Sequence, residues 1–341
     1  MKPAKFVTTL LGSALILVRA ACAFAAESVT NVPTEITQPL APTNHSAKSY
    51  FKLGVEQFRA RQIDRAIISF SKVIDIDPTN APAYCNRGNC YRAKLQWHAA
   101  AADLSKAIEL KPDFAYYYRC RGDVRRELPD SLGALADYSK AIELDPNDSL
   151  TLVNRAVVYY HNDLMAQALA DLSAALKLNP HYDFALRERA GLYLRLNKPA
   201  EAIGDLSEAL ENAPSDSRLI YFRAWAFERT GNLERALRDA EELVRLNSRS
   251  DIPYALRAWL EFRTGNTEAM TADCNNTGRF RRNIDVASAE IASGLLNYSG
   301  KQYAKACDCW KHAVEKNSFH KPSLEPWIEK ACSNAQPTSR P

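Results

Sequence analysis

The chain has 341 residues, of which 46% are hydrophobic and 25% charged, an ordinary globular composition that excludes a wholly disordered or collagen-like polymer. Lys and Arg number 44 against 40 Asp and Glu, and a net charge of +4 is too near balance to argue for nucleic acid. Only 12 glycines occur, with no Gly-x-x-x-x-Gly-Lys or Gly-x-Gly-x-x-Gly run, which argues against a phosphate-cradling loop.

Residues 1–25 read as a secretory signal peptide. Lys2 and Lys5 form a charged start, and Phe6 to Val18 is an apolar run of 13 residues. That run is too short to cross a bilayer, which takes about 20 helical residues. Ala23-Phe24-Ala25 supplies small residues ahead of cleavage at Ala26. Arg19 ends the apolar run early, and it also weakens the alternative of a lipoprotein cysteine at Cys22. The expected location is therefore the periplasm or the cell exterior. Removal of the segment takes Lys2, Lys5 and Arg19 with it and leaves a nearly neutral chain. Residues 26–46, with Pro33, Pro39 and Pro42 and no periodicity, read as a disordered linker. Residues 336–341 read as a frayed tail.

From residue 47 the sequence repeats with a period of 34. Such a period marks a solenoid. The windows start at Ala47, Ala81, Ala115, Ser149, Asp183, Ser217 and Asp251, with an eighth near Ala287. Their eighth residues are Gly54, Gly88, Gly122, Ala156, Ala190, Ala224, Ala258 and Gly294. Their twentieth are Ala66, Ala100, Ala134, Ala168, Ala202, Ala236, Met270 and Ala306. Small residues at these two places let two antiparallel helices approach closely. Four residues after the second small one stands a large apolar residue, as in Phe70, Leu104, Tyr138, Leu172, Leu206 and Trp310. Pro78, Pro112, Pro146, Pro180 and Pro214 then stop the second helix.

Gly88-x-x-Tyr91, Ala100, Ala107 and Pro112, and again Gly122, Ala134, Ala141 and Pro146, resemble the tetratricopeptide (TPR) repeat. The resemblance covers residues 47–317. It implies an all-α, right-handed α-solenoid of about eight antiparallel helix hairpins, near 47–80, 81–114, 115–148, 149–182, 183–216, 217–250, 251–284 and 287–320. The seventh is degenerate: Met270 replaces the small residue, the stop proline is missing, and Asn275-Asn276-Thr277-Gly278 breaks its second helix. Ser323 to Ala335, with Trp327 and Ile328, reads as a capping helix over the exposed end of the stack, which closes the superhelix at residue 335.

Arg87, Arg121, Arg155, Arg189, Arg223 and Arg257 recur at one place in six first helices. Asp103, Asp137, Asp171, Asp205, Asp239 and Asp273 recur in the matching second helices. Both are replaced together in the first window (Leu53, Ser69) and the last (Ser293, Cys309). In an antiparallel hairpin this co-variation predicts an Arg–Asp pair inside each repeat, structural rather than a ligand path, held by bidentate geometry.

The resemblance also implies that peptides bind the concave face, through the second, fifth, ninth, twelfth and thirteenth places of each window. Candidate groove residues are Arg119, Arg126, Tyr160, His161, Arg187, Arg195, Tyr221, Trp225, Arg229, Trp259, Phe262 and Arg263. Trp225 and Trp259 are the expected anchors, since aromatic and Arg side chains dominate interface energies. His161, Arg195, Arg229 and Arg263 share one place in four consecutive repeats. Helices pack about 8–10 Å apart, so this row lies within about one Debye length and favours an acidic segment. Asn86, Asn89 and Asn154 come nearest to the family's clamp for a C-terminal carboxylate, but the lysines it needs are missing.

Once Cys22 has left with the signal, seven cysteines remain, an odd number. Cys85 and Cys120, near corresponding places of adjacent first helices, are the favoured upstream disulfide in an oxidising compartment. No metal is expected: Cys307, Cys309 and His312 do not share a helix face, and no four-ligand zinc spacing occurs. No cofactor is expected either, and no hydrolase or metalloprotease motif occurs, so the chain is not expected to be an enzyme. The reading is an exported scaffold that binds a protein or peptide, of acidic and apolar character, in its concave groove. The alternatives are a module oligomerising through its terminal repeats and an accessory that binds an acidic polymer.

Overall fold

A computed structural model describes residues 46–279 and 285–335. The expected signal peptide, the linker up to residue 45 and the tail from residue 336 lie outside the described residues. The described helices fall into two compact units, divided between Pro180 and His181.

The first unit contains α1 (Ala47–Arg59), α2 (Ile63–Ile76), α3 (Ala81–Ala93), α4 (Trp97–Leu110), α5 (Ala115–Glu127), α6 (Ser131–Leu144), α7 (Ser149–His161) and α8 (Met165–Leu178). They pair as four hairpins, and each second helix packs on the first helix of the next hairpin. The first helices also lie next to one another, α1 by α3, α3 by α5 and α5 by α7. Helix starts are fixed by side-chain caps. Asn80 accepts from the Ala83 amide at 3.1 Å, and Asp148 accepts from the Leu150 amide at 3.1 Å. The hairpin turns place Arg61, Leu95 and Asp163 in the left-handed region, at φ of 61°, 59° and 59°. The third hairpin has Pro129 at the corresponding place, whose ring forbids that conformation.

The crossing explains where glycine is used. A Cβ on Gly122 would lie 2.8 Å from the Tyr138 ring, and one on Gly54 would lie 2.8 Å from the Phe70 ring. Where the facing side chain is Leu172 or Leu206, alanine fills the same place as Ala156 or Ala190. An aromatic ring at the facing place leaves no room for a Cβ, whereas a leucine there is met by alanine in these two hairpins and by glycine in the second, where Gly88 faces Leu104.

The second unit contains α9 (Asp183–Arg195), α10 (Pro199–Asn212), α11 (Ser217–Arg229), α12 (Leu233–Leu246), α13 (Asp251–Thr264), α14 (Thr267–Thr277), α15 (Val286–Ser299) and α16 (Tyr303–Lys316). A 3-10 turn (Ser318–His320) and α17 (Lys321–Ala335) follow. The described residues are all-helical, the fold of a TPR solenoid with an added C-terminal helix. The irregular hairpin is visible in α14, which has 11 residues where the other second helices have 14. Met270 fits its crossing fully buried.

The C-terminal helix covers the last repeat and also extends beyond it. α17 packs along α16, but it also reaches back to α11, so it lies across inner faces rather than only over an end. Cys307 of α16 and Cys332 of α17 form a disulfide with Cα atoms 5.3 Å apart.

Candidate interaction groove

The Arg–Asp positions meet inside all six hairpins. Arg87 donates from Nε and Nη2 to the two oxygens of Asp103 at 2.8 and 2.9 Å. Arg121 does the same to Asp137 at 2.9 and 2.7 Å, and Arg155 to Asp171 at 2.7 and 2.8 Å. Arg189–Asp205, Arg223–Asp239 and Arg257–Asp273 repeat the fork within 2.7–2.9 Å. In the first unit the remaining nitrogen Nη1 reaches the preceding hairpin: Arg87 donates to Ser71, Arg121 to Ser105 and Arg155 to Ser139, at 3.0–3.1 Å. Each guanidinium therefore ties two repeats together. In the first window, which lacks the pair, Ser69 donates to Gln57 at 2.7 Å instead.

On the inner side of the first unit a second polar network gathers at Asp123 of α5. Its carboxylate accepts from Arg92 at 3.1 Å, from the Tyr138 hydroxyl at 2.8 Å and from Asn154 at 3.0 Å. Arg119 approaches Asp148 at 3.4 Å and Arg126 approaches Glu127 at 3.7 Å. Buried Asn89 donates to the Tyr116 hydroxyl at 3.3 Å. Apolar surface stays accessible among these charges: Tyr116 and Leu150 are each 40% exposed. Tyr160 packs edge-on against His161, which is exposed at the end of α7.

The inner side of the second unit is arranged differently, and here several expectations are corrected. Trp225 and Trp259 are 1% and 0% exposed and offer no surface to an external partner in this state. The chain's own C-terminal segment covers them. Phe319 packs on Phe222 at 5.4 Å and on Trp225 at 6.2 Å, and His320 packs on Trp225 at 4.8 Å. Tyr221 packs against Phe319 as well, and its hydroxyl lies 3.5 Å from His320 Nε2. Trp327 of α17 meets Phe262 at 4.7 Å, Tyr298 at 5.9 Å and Trp259 at 6.4 Å.

The arginine row is likewise spent internally. Arg229 donates from Nη2 to the Phe319 carbonyl and from Nη1 to the Leu194 carbonyl, and it stacks 4.4 Å from the Phe319 ring. Burial lowers its pKa from the ordinary arginine value. Arg263 donates to Glu228, whose side chain is 1% exposed. The same carboxylate accepts from Trp259 Nε1 at 3.2 Å and from the Ser323 hydroxyl at 2.6 Å. Arg187 is held between Asp183 and Asp216, at 2.8 Å from each. Arg195 is exposed at the end of α9. The four-membered basic row is therefore not one continuous cationic surface, because two members serve the C-terminal segment.

The cysteine expectation is corrected too. Cys85 and Cys120 are buried free thiols that hydrogen-bond each other, and that bond with burial holds the Cys85 thiol well above its ordinary pKa. Cys274 and Cys309 are also free, and Cys307 is committed to Cys332. Sequence reasoning missed Phe319, His320 and Ser323 as groove-filling residues, because they lie beyond the last repeat.

Tetratricopeptide repeat models match residues 47–80, 81–114, 153–217 and 187–251. The chain belongs to the tetratricopeptide repeat family. No curated protein matches it. Among solved structures it is similar to PilW, a widely conserved type IV pilus biogenesis factor, at 19% identity and a TM-score of 0.51, over 60% of this chain and 94% of PilW. A tetratricopeptide repeat protein from Parabacteroides merdae is similar at 18% identity and a TM-score of 0.49, over 74% of this chain and 99% of that one. YrrB, a TPR protein with an unusual peptide-binding site, is similar at 20% identity and a TM-score of 0.45, over 51% of this chain and 90% of that one. The likeness to PilW describes the fold alone.

Proposed function

We propose that this TPR stack is a protein-interaction module, an exported scaffold without catalysis of its own, whose first unit receives a protein or peptide segment on its inner face. One observation carries the reading: Tyr116 and Leu150 remain 40% exposed, Tyr116 with the Arg119 guanidinium 5.0 Å from its ring and Leu150 next to Asp148, the partner of Arg119, while Arg92 pairs with Asp123 on the same side. Half-exposed apolar side chains beside guanidinium groups are the residue types that dominate binding energies. The partner expected there combines apolar side chains with carboxylates that compete for Arg92 and Arg119. Export is supported by the charged start and apolar run of residues 1–25 and by the Cys307–Cys332 disulfide, which persists in oxidising compartments.

The test is cross-linking from Tyr116, replaced by a photoreactive amino acid, in the native compartment, followed by mass spectrometry. A discrete partner lost on Arg119→Glu supports the reading. Cross-links only to a second copy of this chain would make it a self-assembling module. Export is tested by N-terminal sequencing of the mature protein, where an intact Met1 would refute it.

A further inference from the structure

The second unit holds a ligand-like segment of its own chain. After α16 the repeat pattern stops, and Ser318–Trp327 runs over α11, α13 and α15 by the contacts described above. Its contacts are of the kind a groove makes to a guest. A guanidinium, Arg229, takes a backbone carbonyl, that of Phe319, which is a contact blind to side-chain identity. An aromatic pocket of Trp259, Phe262 and Tyr298 takes one ring, Trp327. A carboxylate, Glu228, takes one hydroxyl, Ser323.

The fit is incomplete. Three buried polar atoms at this contact, Nε of Arg229, Nδ1 of His320 and Nε1 of Trp225, have no hydrogen-bond partner. Native interiors pair nearly all such atoms, so a segment chosen only to complete the core would be expected to satisfy them. A guest with an acceptor in place of the His320 ring would satisfy Arg229 and remove the second orphan. The disulfide to Cys307, 25 residues upstream of Cys332, holds the segment in place covalently. A tether of that kind raises its local concentration far above that of any free peptide.

We propose that Ser318–Trp327 is a tethered pseudo-ligand, and that the groove of the second unit binds a segment of another protein with the same pattern. That pattern is an aromatic residue, an acceptor next to it, a hydroxyl residue four positions after the first ring, and a second aromatic eight positions after it. The site is separate from the inner face of the first unit, so it stands or falls independently of partner capture there.

The probe is a fluorescent synthetic peptide spanning residues 317–329 of this chain, followed by anisotropy on the full-length protein. The wild type is expected to show no binding at micromolar peptide. Phe319→Ala with Trp327→Ala weakens the internal guest and should bring binding into the micromolar range, at least tenfold tighter than wild type. Cys307→Ser with Cys332→Ser, which leaves every groove contact intact, should do the same to a smaller extent. Adding Arg229→Met should abolish capture, and a peptide with Asp in place of His320 should bind more tightly than the parent. Absence of binding by both folded variants would overturn the proposal, as would equal binding by the wild type. Melting of the last three repeats on loosening the segment would overturn it too, since a displaceable guest must leave a folded groove behind.

Discussion

Asp171→Ala tests the Arg–Asp ladder most directly. Both carboxylate oxygens are used, at 2.7 and 2.8 Å, and the Arg155 and Asp171 side chains are only 19% and 9% exposed. Truncation leaves a largely covered guanidinium with two N–H groups and no acceptor. Breaking a buried pair by removing one partner costs about 3–5 kcal/mol. Water reaches the exposed part of Arg155, which places the expected loss at the lower end, about 3 kcal/mol. Removing Arg155 as well takes the orphan away. What is then lost is the 3.1 Å bond to Ser139 and the packing of the arginine stem, together about 1–2 kcal/mol. The double mutant should therefore be more stable than Asp171→Ala alone. Repeat arrays need not unfold in two states, so the measurement is hydrogen exchange of the α7–α8 hairpin alongside urea unfolding by circular dichroism. A double mutant that loses the sum of the two single losses would refute the coupling.

Gly294→Ala would place a Cβ 2.2 Å from Trp310 Nε1, which donates to the Ile291 carbonyl, and should cost about 1–3 kcal/mol of thermal stability in calorimetry. Gly204→Ala, in α10 with nothing within 4 Å of the new Cβ, should stabilise by about 0.5–1 kcal/mol in the same assay. Leu95→Gly relieves a left-handed φ of 59° at an exposed turn and should raise the melting temperature, by about 1 kcal/mol of stability. Buried His320, facing Arg229 and Tyr221 from α11, has its pKa lowered from 6.5 to about 3, first by burial and then by the Arg229 charge. The folded state refuses a proton that the unfolded state accepts, so the docked segment keeps its full stability above pH 6.5 and loses about 1.4 kcal/mol per pH unit as pH falls toward 3. Amide protection of α17 that stays flat from pH 7 to pH 4 would contradict this.

The ladder and the crossings were legible because a solenoid writes its contacts periodically. A pair at fixed places in an antiparallel hairpin repeats every 34 residues, and its joint loss in the first and last windows is visible in one chain. The filled groove carried no such signal. Arg229 and Phe319 lie 90 residues apart, and the contact occurs once. The inner-face aromatics at Tyr221, Trp225, Trp259 and Phe262 stand out in the sequence as candidate partner contacts, but nothing periodic marks their occupant as part of the same molecule. The disulfide was hidden for the same reason. Cys85 and Cys120 stand out through the repeat, while Cys332 lies in α17, beyond the repeats.

The charge arrangement in the second unit narrows what can replace its C-terminal segment. Glu228 is buried and is satisfied by three donors: an indole, a guanidinium and the Ser323 hydroxyl. When the segment leaves, the first two stay and the third departs, so a replacement must bring a donor to that oxygen or pay to desolvate it. Arg229 makes the opposite demand, because it loses the Phe319 carbonyl and needs an acceptor. A uniformly acidic polymer meets the second demand and violates the first, placing further negative charge beside a buried carboxylate. A segment with a carbonyl or carboxylate near its first ring and a hydroxyl one helical turn later meets both. On the proposed exchange the second unit therefore disfavours acidic polymers, even though Arg195, Arg229 and Arg263 occupy equivalent places in its repeats, and the salt-sensitive capture of acidic partners proposed above would fall to Arg92 and Arg119 in the first unit.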